Sequence, residues 1–215
     1  MRAFYRFVIL LICLNTIVMG EGLTGEKIIG AGGDYFTFSE AIADLNLKGV
    51  GEGGVTFLIK GGTYSEATAL CLTTTSSSAS RPIIFKAYNS ELITLNTFQS
   101  NTKKYCVRIE SDYVTFEGDT TSSEFNFVIN STNTTYSFYG FDIVGSNNII
   151  KKCKIDFPSK YYVSGSTGIY LRNDCNDCLI DNNEISASIG IAVGSLQNSL
   201  NLPCNSHKIS RNYIT

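Results

Sequence analysis

Several features are scarce in this 215-residue sequence, and each scarcity closes off a class of function. There is one histidine, His207, so no site built on several histidines can form, and its polar surroundings predict an exposed side chain. Basic residues number 17 against 19 acidic ones, and Arg2 and Arg6 sit at the extreme N-terminus. The basic footprint that nucleic acid requires is therefore missing. Beyond the first twenty residues no apolar run approaches membrane-spanning length. Seven cysteines are too few to hold a chain of this size together by disulfides.

The one long apolar run, residues 7–14, follows Arg2 and Arg6 and is broken by Asn15 and Thr16. Val18-Met19-Gly20 then offers a cleavage site, so residues 1–20 read as a secretory signal peptide, too short to cross a bilayer. Cys13 is no lipid-anchor cysteine, because the large Ile12 precedes it where a small residue is needed. Residues 21–215 are expected to form one secreted or cell-surface domain with no membrane span and six cysteines, an even number that permits disulfides.

What the sequence does contain is repetition. Ile150-Lys-Lys-Cys153-Lys-Ile155, Ile180-Asp-Asn-Asn183-Glu-Ile185 and Ile209-Ser-Arg-Asn212-Tyr-Ile214 share one pattern at offsets of 30 and 29 residues. Gly140-Phe141-Asp142-Ile143, Gly168-Ile169-Tyr170-Leu171 and Gly190-Ile191-Ala192-Val193 share another, with apolar residues two apart as in a half-buried strand. Strands this short cannot stand alone. Stacked coil on coil they pair in parallel and bury one continuous core, which predicts an all-β, right-handed parallel β-helix. The motif asparagine tolerates a left-handed turn conformation and can join a hydrogen-bonded ladder from coil to coil, with Cys153 a small buried substitute.

Upstream, Thr37 and Glu40 make a capping box opening a short helix with Phe38, Ala41, Ile42 and Leu45 on its apolar face, ending near Lys48-Gly49. It is expected to cap the first coil. Val55, Phe57 and Ile59 alternate as a strand, and residues 83–85, 107–109 and 114–116 continue the series. Residues 73–80 and 130–135 read as polar loops, the second carrying two glycosylation sequons. The chain stops directly after its third motif, at Ile214-Thr215. It is therefore expected to be the front part of a longer protein, with end-to-end contact through an uncapped last coil.

The opening Gly32-Gly33-Asp34-Tyr35-Phe36-Thr37-Phe38-Ser39-Glu40-Ala41-Ile42, with Gly62-Thr63-Tyr64-Ser65-Glu66 after it, resembles the start of pectin-lyase-like β-helix proteins. These include pectin methylesterases and many bacterial secreted or surface β-helix repeat proteins. The resemblance implies the fold along essentially the whole chain beyond residue 20. Its most specific parts are structural and say little about activity. Pectin methylesterases use two aspartates, a glutamine and an arginine, one aspartate lying in an Asp-Phe-Ile-Phe-Gly motif. The nearest stretch here is Asp142-Ile143-Val144-Gly145, with Asp119 in place of the other aspartate and no glutamine before it. The paired-aspartate motifs of polygalacturonases are absent.

The expected function is accordingly a non-catalytic scaffold that contacts a polysaccharide, a cell-surface glycan or a partner. The alternative is a polysaccharide lyase, hydrolase or esterase acting on pectin-like polysaccharides. Alternation predicts the ligand face: with Phe141, Ile143, Ile169 and Leu171 inward, Asp142, Tyr170 and Arg172 face out, with Asp174 just beyond and a dent beside Tyr170 at Ala192 and Gly194. Asp174, Asp177 and Asp181 read as a solvated turn rather than a calcium cluster. Cys175-x-x-Cys178 is half of a zinc pattern without a matching second pair, so no metal and no cofactor are expected. Cys175 and Cys204 each stand five residues before a motif isoleucine. Equal register would bring their Cα atoms about 4.8 Å apart, within disulfide range.

Overall fold

A strand of three to five alternating residues has one apolar face and no means of burying it alone. The chain solves this by coiling. The computed structural model describes residues 21–100, 102–119, 125–131, 138–157, 165–194 and 205–215; the expected leader lies outside them. Among these residues the strands form three parallel sheets of seven, six and five strands, each coil contributing to the sheets in turn. This is the right-handed parallel β-helix expected from the repeats.

The interior is built of columns, one residue per coil. In the seven-stranded sheet Phe57, Phe85, Phe116, Ile150, Ile180 and Ile209 stand in register. The six-stranded sheet contributes Tyr64, Leu95, Ile129, Ile155, Ile185 and Ile214. The five-stranded sheet adds Leu70, Val107, Phe141, Ile169 and Ile191. Both isoleucines of the repeated motif are thus core residues of two different sheets. Ile209 and Ile214, on the last described coil, are exposed.

Between those two isoleucines the chain turns a corner. The left-handed residue there is not the motif asparagine but the one before it: Lys152, Asn182 and Arg211 have φ of 54°, 53° and 54°. The asparagine is instead a buried strut. Asn183 accepts from Cys153 N–H (3.0 Å) and donates to the Ile150 carbonyl (2.9 Å) and to Asn212 Oδ1 (2.9 Å). Asn212 repeats the contact by donating to the Ile180 carbonyl at 2.9 Å. Cys153 is fully buried in the same slot, its thiol facing the Lys151 carbonyl at 3.4 Å. The Asn183→Ala variant orphans a buried N–H and a buried carbonyl. It is expected to lose about 2 kcal/mol of stability with an unchanged denaturant slope in urea unfolding.

Gly168 occupies a close approach. A Cβ there would lie 2.3 Å from Ile185 Cγ2 and 2.7 Å from the Gly190 carbonyl, so only glycine lets the five- and six-stranded sheets meet at this edge. At the front, the helix Phe38–Lys48 has its full capping box, and Phe38, Ala41, Ile42 and Leu45 are its buried face. Its first turn is anchored from the following coil: Glu66, itself buried, accepts from Phe38 N–H at 2.9 Å and from the Ser39 hydroxyl. A carboxylate at a helix N-terminus is favoured by the unpaired amides there. Residues 73–80 contain no named strand, as expected. In the other polar stretch, however, Asn130 and Ser131 belong to the strand Phe127–Ser131, and the rest lies outside the described residues.

Candidate functional site

The outward face of the five-stranded sheet carries the one concentration of charge and aromatic rings that the sequence singled out. Strand alternation sends Val107 and Ile109, Phe141 and Ile143, and Ile169 and Leu171 into the core. The residues between them form an outward column, Cys71, Arg108, Asp142, Tyr170 and Ala192, each in register with the next. Beside it Tyr105 and Tyr139 are in register on adjacent coils.

Asp142 is the centre. Arg172 donates to it from Nε (2.5 Å to Oδ1) and Nη2 (3.1 Å to Oδ2), a bidentate pair, and Arg108 Nη1 adds a third contact at 3.3 Å to Oδ2. Arg108 Nε also lies 2.7 Å from Glu110 Oε1. The guanidiniums lie over tyrosine rings: Arg172 is 4.9 Å from the Tyr170 centroid and 5.5 Å from that of Tyr139, and Arg108 is 5.6 Å from that of Tyr105. Burial pushes the Tyr105 phenol up to about 12, with Cys71 the next contributor, and burial raises Tyr139 as well.

Three of the four expected ligand residues therefore meet, though not as simple alternation suggested. Asp142 points outward yet is 0% exposed, because the two arginines roof it. Tyr170 is 4% exposed, so its ring offers no open face for stacking; Arg172 and Tyr139 cover it, the two rings lying 5.0 Å apart. The accessible groups are the arginines, with side-chain exposures of 27% for Arg108 and 36% for Arg172, and the half-buried Tyr105 and Tyr139. Asp174 lies in the turn beyond Arg172, exposed and left-handed at φ 75°. Ala192, where a dent was expected, is in register with Tyr170.

Arg108, Glu110, Tyr105 and Tyr139 were not singled out from the sequence. Arg108 and Asp142 are 34 residues apart, and no local pattern announces that separation. Asp119 is not the second aspartate of this patch. It follows the strand Val114–Glu117 of a different sheet, where it lines a concavity of about 310 Å³ with Lys86, Asn89 and Glu117. The position in register with Asp142 on the preceding coil holds Arg108. Glycosidic hydrolysis with paired carboxylates needs one to donate a proton and the other to activate water or attack the sugar. Here Asp142 and Glu110 each lie against arginine. His207, expected to be exposed, is half-buried, with Nδ1 accepting from Cys178 N–H at 3.2 Å. The Cys175–Cys204 pairing lies outside the described residues on its Cys204 side.

No protein-family model matches the chain, and no curated protein sequence matches it. Among solved structures it is similar to the pectin methylesterase from Aspergillus niger in deglycosylated form, at 14% identity and a TM-score of 0.47, over 83% of this chain and 63% of that one. A second crystal structure of that enzyme, in penultimately deglycosylated form, matches at 15% identity and a TM-score of 0.45, over 81% of this chain and 56% of that one. The chain thus spans somewhat over half the length of the enzyme it matches. The likeness is one of fold.

Proposed function

We propose that this chain is a secreted or cell-surface β-helix whose five-stranded sheet contacts a polysaccharide without transforming it. One observation carries the reading: Arg108 and Arg172 share the buried Asp142 carboxylate while their outer edges reach solvent. Guanidiniums held in place by a carboxylate and by ring stacking are preorganised donors, which lowers the entropy lost on binding. Planar N–H donors of this kind suit the carboxylates and hydroxyls of an acidic glycan, and the edges of Tyr105 and Tyr139 add amphipathic contact area. The apolar leader at residues 7–14 supports export.

A second reading, a pectin-acting esterase, is favoured by the Asp142–Arg172 pair, since an aspartate and an arginine are among the residues that the resemblance implies. Asp119, in the place of the other aspartate by the same resemblance, follows a strand of a different sheet, which weighs against it.

Calorimetric titration with oligogalacturonides and with neutral oligosaccharides separates the two. Binding of the acidic series is expected, weakened about tenfold in Arg108→Gln and in Tyr139→Leu. Incubation with methyl-esterified pectin is expected to release neither methanol nor new chain ends. Equal affinity in both variants, or no binding at all, overturns the scaffold reading. Methanol release that disappears in Asp142→Asn replaces it with the esterase.

A further inference from the structure

Two buried thiols and the single imidazole of the chain converge at the far end of the solenoid. Cys175 and Cys178 lie in the turn between the strands Thr167–Leu171 and Leu179–Asp181, 0% and 1% exposed. His207 immediately precedes the strand Lys208–Ser210 of the next coil. Parallel pairing joins the two coils here: Leu179 is in register with Lys208, and Lys208 N–H donates to the Cys178 carbonyl at 2.9 Å. The ladder thereby sets His207 beside Cys178. The ligand atoms of all three residues lie within 4.8 Å of one another, and Cys175 Sγ is 3.8 Å from His207 Nε2.

We propose that Cys175, Cys178 and His207 bind a zinc ion that clips the last described coil to the one before it. The spacing fits. With zinc–sulfur bonds of about 2.3 Å and zinc–nitrogen bonds of about 2.0 Å in tetrahedral geometry, sulfur and nitrogen stand about 3.5 Å apart. The observed separation needs to close by only a few tenths of an ångström. Thiolate and imidazole together select zinc over calcium or magnesium, which take oxygen ligands. Two thiolates also neutralise the dication, so the buried site gains no net charge.

On binding, both S–H bonds break, their protons leave to solvent, and two sulfur–metal bonds form. The imidazole stays neutral and gives the Nε2 lone pair, so its ring proton sits on Nδ1. The local cost of metallation is the bond Nδ1 now accepts from Cys178 N–H, together with the thiol bonds from Cys175 to the Arg172 carbonyl (2.9 Å) and from Cys178 to the Asn176 carbonyl (3.5 Å). A fourth position remains for water or another donor. In the sequence Cys204 stands three residues before His207, repeating the Cys175–Cys178 spacing. It lies outside the described residues, and the three described ligands make the site without it. The clip has a structural purpose: coils of a solenoid are held only by their neighbours, and Ile209 and Ile214 of the last coil are exposed.

The test uses the whole chain, reduced and stripped of metal by a chelator, and titrated with cobalt(II). A thiolate-to-cobalt charge-transfer band and tetrahedral ligand-field bands are expected to saturate at about one equivalent and to vanish when zinc is added. Zinc is expected to raise the melting temperature and chelator to reverse the gain. Cys178→Ser should lose about half of the charge-transfer intensity, and His207→Ala should shift the ligand-field bands. Cys106→Ser, a buried thiol elsewhere in the core, should match the wild type. The cobalt spectrum of the unmodified chain decides the matter even if a variant fails to fold. Absence of that spectrum, or an unchanged spectrum in both ligand variants, overturns the proposal. So does a Cys175–Cys178 disulfide found by peptide mapping of protein purified with zinc and without reductant.

Discussion

Replacing Arg172 with leucine is expected to destabilise the chain by about 4 kcal/mol, whereas Asp142→Leu should cost only about 1 kcal/mol. The asymmetry comes from burial. Asp142 is 0% exposed and takes two of its three charged contacts from Arg172. Without them the carboxylate keeps the Arg108 contact at 3.3 Å, and leucine sets an apolar side chain where the guanidinium lay. Removing one partner of a buried pair leaves an uncompensated charge, and that penalty dominates. The reverse substitution strands nothing comparable, because both arginines already reach solvent and Arg108 retains Glu110. Leucine at position 142 also suits a site walled by tyrosine rings. The double variant should therefore be more stable than Arg172→Leu alone. Urea unfolding of the two single variants and the double variant measures all three values. If Asp142→Leu proved as costly as Arg172→Leu, the pair would be a net source of stability and not a charge kept in place by its partners.

Truncation of Phe85 to alanine is expected to cost a similar amount, about 4 kcal/mol, by a different mechanism. Its ring is stacked between those of Phe57 and Phe116, with centroids 4.7 Å away on each side and interplanar angles of 15° and 8°. Phe38, from the capping helix, lies 6.3 Å off and is also stacked. Each of these rings is fully buried. Alanine at position 85 opens a cavity in the middle of the column, and the parallel backbones on either side are held by their hydrogen-bond ladder and cannot close it. Phe85→Leu keeps most of the volume and should cost about 1.5 kcal/mol. Leu92→Ala, at an exposed position, should stay within about 0.5 kcal/mol of the wild type. Because each coil touches only its neighbours, the Phe85→Ala loss should also separate unfolding of the front coils from the back ones. A calorimetric enthalpy exceeding the van't Hoff value would show this.

The Phe85 column also explains which repeats were visible. Ile150, Ile180 and Ile209 recur with the same residue type, so their motif stands out in the sequence. Phe57, Phe85 and Phe116 fill the same column three coils earlier and share no residue type with it. Their strands were legible, but the column they share with the isoleucines shows only in the register. The helix was legible in full, since a capping box and one apolar face are local properties. The asparagine ladder was legible in kind, but its left-handed residue was not. Lys152, Asn182 and Arg211 have no residue type in common, and the corner geometry alone selects their conformation.

By itself the sequence determined what depends on neighbours along the chain: alternation, the short strands, the helix cap, and hence a stacked parallel coil. It also determined that Asp142, Tyr170 and Arg172 share an outward face, because side chains two apart along a strand point the same way. The tertiary structure decided which outward residues touch. Asp142 meets Arg108 across 34 residues and Arg172 across 30, and Cys175 meets His207 across 32. In-register partners are 34 residues apart for Arg108 and Asp142 but 28 for Asp142 and Tyr170, because the turns between coils differ in length, and no periodicity encodes a turn length. The same stacking decided burial on the outer face. An aspartate and a tyrosine that alternation sends toward solvent are covered by arginines from neighbouring positions, since a long guanidinium side chain gains more by lying over a ring and a carboxylate than by extending into water.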